Sequence, residues 1–131
     1  MEKKILNLTQ HSPTLEQIQV GVFEPSGGHK KEIQRLLTFD AVPSVLEMYD
    51  RANQIALVAK TYGVKFAMIG GAPFFMQFLE RALSVNRIEP VYAFSRREVV
   101  EQRHVDGKVE KKAIFRHVGF VRVFKMYDEQ I

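Results

Sequence analysis

Three short polar stretches of this 131-residue chain carry side chains that could act together on a phosphate. The first holds Asn7, Thr9, Gln10, His11 and Ser12: amides, hydroxyls and an imidazole able to move a proton near neutral pH. The second, Gly70-Gly71-Ala72-Pro73, reads as a strand-to-helix turn. Glycines let a ligand approach the backbone there, and a helix start offers unpaired N–H groups and the positive end of a macrodipole. Pro73 at the first helical position removes only a donor without an intrahelical partner. The third, Ser95-Arg96-Arg97, adds forked guanidinium donors that suit phosphate. Together they predict an anion site, most simply for a nucleotide phosphate. The bland alternative is that the double glycine only lets a strand bend into a helix.

Whether the clusters meet depends on the elements that carry them. Ile5, Leu6 and Leu8 mark a first strand over 4–9, and Thr14 with Gln17 has the spacing of a capping box, opening a short helix that stops at Gly21. Residues 24–31, EPSGGHKK, read as a surface loop, and 32–40 as a short helix running into a strand. Ser44 and Glu47 repeat the capping-box spacing, and apolar residues recur at helical intervals from Val45 to Ala59, with Gly63 as the stop. Val64–Ile69 is apolar apart from Lys65, as a strand covered on both faces should be, and a helix to about Asn86 and a strand ending at Ser95 follow. Helix, strand, helix, strand with short connections predicts a parallel sheet with right-handed crossovers. Ligands of such sheets sit outside the carboxyl ends of the strands, the rule that gathers the three clusters on one rim.

The C-terminal third changes character. Asp106-Gly107 predicts a two-residue type I′ hairpin turn with Arg103 opposite Glu110, Glu101 opposite Lys112 and Val99 opposite Ile114. The expected fold is therefore α/β: one Rossmann-like domain over 1–131, its mostly parallel sheet flanked by helices, with a β-hairpin extension over about 97–116.

Composition narrows the function classes. Hydrophobic residues at 46% and charged residues at 26% are ordinary globular usage, and the absence of cysteine excludes disulfides, thiolate metal sites and a cysteine nucleophile. No apolar run reaches the ~18 residues of a membrane span, so no membrane partner and a cytoplasmic location are expected. A net charge of +4, with Glu98, Glu101 and Glu110 interleaved among the basic residues of the hairpin, is too mild for a duplex nucleic-acid binder. His29 falls in a loop and His104 on the hairpin, and neither they, His11 nor His117 has a partner at metal-ligand spacing, so no metal or other cofactor is expected. Gly-Gly-Ala-Pro lacks the lysine and hydroxyl of an NTPase phosphate loop and is not a dinucleotide fingerprint.

The opening ILNLTQHSPTLEQ and the later MIGGAPFFMQFLERAL with PVYAFSRREVV resemble, over about residues 14–96, the small CRISPR-associated ring nucleases. The resemblance implies a Rossmann-like protein that binds a cyclic oligoadenylate across the two-fold axis of a homodimer. It points to Thr9, His11 and Ser12, to Gly70 and Gly71, and to Ser95 and Arg96. The activity it implies is metal-independent: a ribose 2′-hydroxyl attacks the adjacent phosphorus in line, yielding a 2′,3′-cyclic phosphate and an opened ring. The backbone N–H groups of the 71–73 turn, of which Pro73 supplies none, and Arg96 would stabilise the charge developing on phosphorus, and His11 would move the proton. The residues themselves leave two other readings open: a nucleotide-binding module without turnover, and an interaction protein that dimerises through the hairpin.

Overall fold

A computed structural model describes residues 2–131. In chain order the elements are β1 (Ile5–Asn7), α1 (Leu15–Gln19), β2 (Val22–Phe23), α2 (Gly27–Leu37), α3 (Val45–Lys60), β3 (Phe66–Met68), α4 (Pro73–Val85), β4 (Glu89–Arg103) and β5 (Val109–Arg122). Local chemistry explains several boundaries. Thr14 and Gln17 close the full capping box before α1: the Gln17 N–H donates to Thr14 Oγ1 at 3.1 Å and the Thr14 N–H to Gln17 Oε1 at 3.0 Å. Ser44 caps α3 by accepting from the Glu47 N–H at 3.0 Å.

The five strands form one sheet in the order β2-β1-β3-β4-β5. β1 is parallel to both β2 and β3, β3 is parallel to β4, and β4 is antiparallel to β5. The fold is therefore mixed α/β with a mostly parallel sheet and a C-terminal hairpin. Because the chain leaves β1 for β2 on one side and returns past it to β3 on the other, the strand order switches between β1 and β3.

Alternation of side chains along the short strands supplies two cores. On one face Leu6, Leu8, Ala67 and Ile69 pack with Ile33, Leu36, Ile55, Phe75, Leu79 and Leu83 of α2, α3 and α4. On the other, Ile5, Val22, Phe66, Met68 and Val91 meet Phe120, Tyr127 and Ile131. Complete burial of a Leu or Phe contributes roughly 1.5–3 kcal/mol, so the helix-covered face carries most of the apolar stabilisation.

The chain end is held across the second face by a buried ion pair. Glu89 is 0% exposed and receives Arg122 in a fork, Nε to Oε2 at 2.5 Å and Nη2 to Oε1 at 2.8 Å. The same guanidinium donates to the carbonyls of Tyr127 at 2.7 Å and Glu129 at 2.8 Å, while the Met126 N–H donates to Glu89 Oε1 at 2.8 Å. Burial alone would raise the Glu89 pKa, but the Arg122 bond and charge together with the two backbone donors hold it below the usual carboxylate range.

Two expectations need correction. Residues 27–31 are the first turn and a half of α2, not a loop, and no strand follows Leu37. Two glycines make a poor helix start, but Ile33, Leu36 and Leu37 bury against the α3 face, and tertiary packing overrides propensity. The hairpin is also one residue out of the expected register: Arg103 faces Val109, Glu101 faces Lys111 and Val99 faces Ala113. The turn holds three residues between His104 and Lys108, closed by the His104 N–H on Lys108 O at 2.9 Å, with Gly107 at φ +84°. One positive-φ residue suits this wider turn, whereas the two-residue form needs two.

Candidate functional site

The carboxyl ends of β1 and β3 flank a cleft of about 360 Å3 at the switch in strand order. The loop after β1 contributes Thr9, Gln10, His11 and Ser12; β3 and its turn contribute Met68, Ile69, Gly70 and Gly71; Thr14 and Gln17 of α1 and Tyr92 and Ala93 of β4 close it. The first two predicted clusters are thus brought together. The volume lies at the lower end of the range for small-molecule sites.

Asn7 shapes the β1 loop. Its buried amide donates to His11 O at 2.8 Å and to Glu24 Oε1, while its Oδ1 accepts from the Thr9 N–H at 2.9 Å and the Thr9 hydroxyl at 2.8 Å. These are all the bonds a side-chain amide in this position needs, so Asn7 folds the loop and is not itself a wall of the cleft. Gln10 is tethered through Nε2 to Thr38 Oγ1 at 2.8 Å. The His11 ring and the Ser12 hydroxyl make no hydrogen bond among the described residues, and both residues are exposed.

The other wall is backbone. Gly71 sits at φ +148°, a region that disfavours side chains, and a Cβ there would stand 3.4 Å from Met76 Cε. α4 begins immediately afterwards with Ala72 as N-cap, which offers no side-chain cap, and Pro73 in the first turn. Ala72 itself packs partly into the core and does not line the cleft.

The third cluster is elsewhere. β4 pairs with β3 only as far as Val91 but continues to Arg103, because β5 extends it as a two-stranded arm. Ser95, Arg96 and Arg97 lie four to six residues up that arm, roughly 13–20 Å beyond Val91 at ~3.3 Å per residue. They are exposed, and they face His117, Arg116 and Phe115 across the ribbon rather than the cleft. The expectation that a strand ends near Ser95 was the error: a partner strand from farther along the chain carries it past the rim.

In their place stands Tyr92, which sequence reasoning did not single out. Its hydroxyl donates to Glu80 Oε2 of α4 at 2.5 Å. Burial first, and then that bond and the Glu80 charge, push the phenol well above its usual value, so it remains a neutral donor. Glu24, just after β2, was missed as well; it bonds Asn7 and pairs with Lys30 at 2.6 Å. The rim rule applies to it equally, but a two-residue strand gives no periodic signal.

The resulting cleft contains neither Lys, Arg, Asp nor Glu among its lining residues. It can hold an anion through hydroxyls, backbone N–H groups and the α4 dipole, and offers His11 for proton transfer. Among the described residues no three His, Asp or Glu side chains gather as metal ligands, and no helix is long and apolar enough to cross a membrane.

A family model described as "Uncharacterized protein MJ1673 family" matches residues 3–121. The chain belongs to that family. The match takes in every wall of the cleft and all but the last residue of the arm. No curated protein and no solved structure matches the chain.

Proposed function

We propose that this member of the MJ1673 family binds a nucleotide-type anion in the cleft between the β1 loop and the Gly70-Gly71 turn. One observation carries the reading: at the switch in strand order, free hydroxyl and imidazole groups of the β1 loop face a glycine turn that leads into the uncapped start of a 13-residue helix. The phosphate sits on the N–H groups of the Gly70-Gly71 turn, and Thr9, Ser12 and Tyr92 orient the remainder.

The finer proposal is that the nucleotide is part of a cyclic oligoadenylate, opened by in-line attack of a ribose 2′-hydroxyl with His11 taking the proton. Resemblance to ring nucleases and the position of the unpartnered His11 ring support it. Arg96, Arg97 and Ser95 have no part at this cleft within one subunit, so charge on phosphorus is met by backbone donors. A cleft of this size accommodates about one nucleotide, so a ring extends over the rim.

A thermal-shift series against mono-, di- and cyclic oligonucleotides tests the binding, since a ligand selective for the folded form raises the melting temperature. Incubation with cyclic tetra-adenylate in EDTA tests the chemistry; linear product ending in a 2′,3′-cyclic phosphate is expected. A shift without product leaves a binding module, and no shift with any nucleotide removes the reading altogether.

A further inference from the structure

Above the Val91–Arg122 level the strands of the arm pair only with each other, so a long edge of β4 is bare. Large apolar side chains stand open on the arm: Phe94 and Val99 of β4 are 54% and 62% exposed, and Phe115 of β5 67%. A two-stranded ribbon is marginal alone in water, and a bare edge is a template for another strand.

Which strand fits is readable from the backbone phase. The His104 N–H donates to Lys108 O at 2.9 Å, which by alternation turns the N–H and C=O of Gln102, Val100, Glu98 and Arg96 toward β5. Those of Arg103, Glu101, Val99, Arg97 and Ser95 face the bare edge. A second copy pairing antiparallel about a two-fold axis must set outward residues against outward residues, so the axis passes through a residue. Placed at Arg96, Arg97, Glu98 or Glu101, it sets a charged side chain against its own copy. At Val100 it opposes Arg97 and Arg103, and at Gln102 only Glu101–Arg103 of the two strands overlap, because β4 ends at Arg103. From Arg96 to Gln102, Val99 is the one centre that gives a ladder longer than three residues without opposing like charges: Arg97 faces Glu101 of the partner subunit, twice by symmetry, and valine faces valine.

We infer that two copies of this chain pair their β4 edges antiparallel about Val99, joining the arms into one four-stranded sheet. On either side of the Val99 pair one row then alternates in sign over its three charged residues, Lys111 and Glu101 of one subunit continuing into Arg97 of the partner subunit. The same register sets Arg103 of the partner subunit, the last residue of its β4, against Ser95, two residues beyond Ala93 of the cleft wall, so each arm tip points toward the rim of the other subunit's site. The inference rests on the arm alone and stands whether or not the cleft binds a nucleotide.

The test is solution mass by light scattering. The wild type is expected at twice 15.1 kDa. Val99→Pro removes an N–H that β5 does not use and should give a monomer, whereas Ala113→Pro, the equivalent change on the outer edge of β5, should leave the dimer. Arg97→Glu and Glu101→Arg should each be monomeric, and an equimolar mixture should recover the dimer, because each substituted side chain then meets an opposite charge across the axis. Unchanged far-UV circular dichroism checks that the variants fold. A monomeric wild type, dissociation by Ala113→Pro in place of Val99→Pro, or a mixture that stays monomeric overturns the inference.

Discussion

The two ends of the sheet hold polar groups in opposite ways. At the amino ends of β3 and β4, the buried Glu89 and the half-buried Arg122 are bonded to each other and to the backbone of Met126, Tyr127 and Glu129. At the carboxyl ends, the His11 ring, the Ser12 hydroxyl and the Gly70-Gly71 turn line an open cleft whose walls hold no Lys, Arg, Asp or Glu. The first arrangement has no bonding capacity left for a ligand; the second keeps it. Charge is therefore the poorer guide to function in this protein: its strongest ion pair is structural, and its candidate site is neutral.

That contrast can be broken from either end. The largest effect on stability is expected from Arg122→Ala, which strands the Glu89 carboxylate in the core and should cost about 3–5 kcal/mol in denaturant unfolding. Any nucleotide binding by the remaining folded fraction should be unchanged; if it falls while stability holds, the assignment of the two ends is reversed.

Acid should probe the same pair. The folded-state pKa of Glu89 is lowered, so the unfolded state binds more protons and stability rises with pH across the interval between the two values. The contribution is fully present above the unfolded value, about 4.3, and is lost as pH falls through the lower folded one. Unfolding curves of Glu89→Gln should accordingly lack this part of the acid dependence of the wild type.

At the other end the effects descend. Asn7→Ala removes the acceptor of two Thr9 bonds and the donor to His11 O, and should cost about 1–3 kcal/mol while loosening the β1 loop, seen as faster amide exchange at Thr9 and His11. Gly71→Ala places a Cβ at φ +148° and should cost about 1–2 kcal/mol while reducing any nucleotide-dependent thermal shift. His11→Ala touches an exposed ring and should change stability by no more than about 0.5 kcal/mol, yet lower any ring-opening rate by about 100-fold or more. Full activity in His11→Ala would remove it from the chemistry while leaving the cleft a binding site.

How far the chain could be read depended on how local the cause was. The capping box of Thr14 and Gln17, the cap of Ser44 and the strand–Gly-Gly–helix passage act over three or four residues, and each stands as read. The start of α2 at Gly27 defeats propensity because distant apolar partners hold it. The hairpin was legible but its register was not: opposite charges also meet in the true pairing, Glu101 with Lys111, so charge matching could not separate it from the neighbour one residue away.

The sequence by itself determined the alternation of strands and helices, and with it a rim where the β1 loop and the Gly70-Gly71 turn come together, because periodicity, caps and crossover handedness are short-range rules. Only the tertiary structure decided that Arg96 lies on the arm outside the cleft, that Tyr92 takes its place in the wall, and that Glu89 is neutralised by Arg122, 33 residues away. Those outcomes depend on which distant segment supplies the neighbouring strand or counter-charge, and on the burial that follows, which no local pattern records.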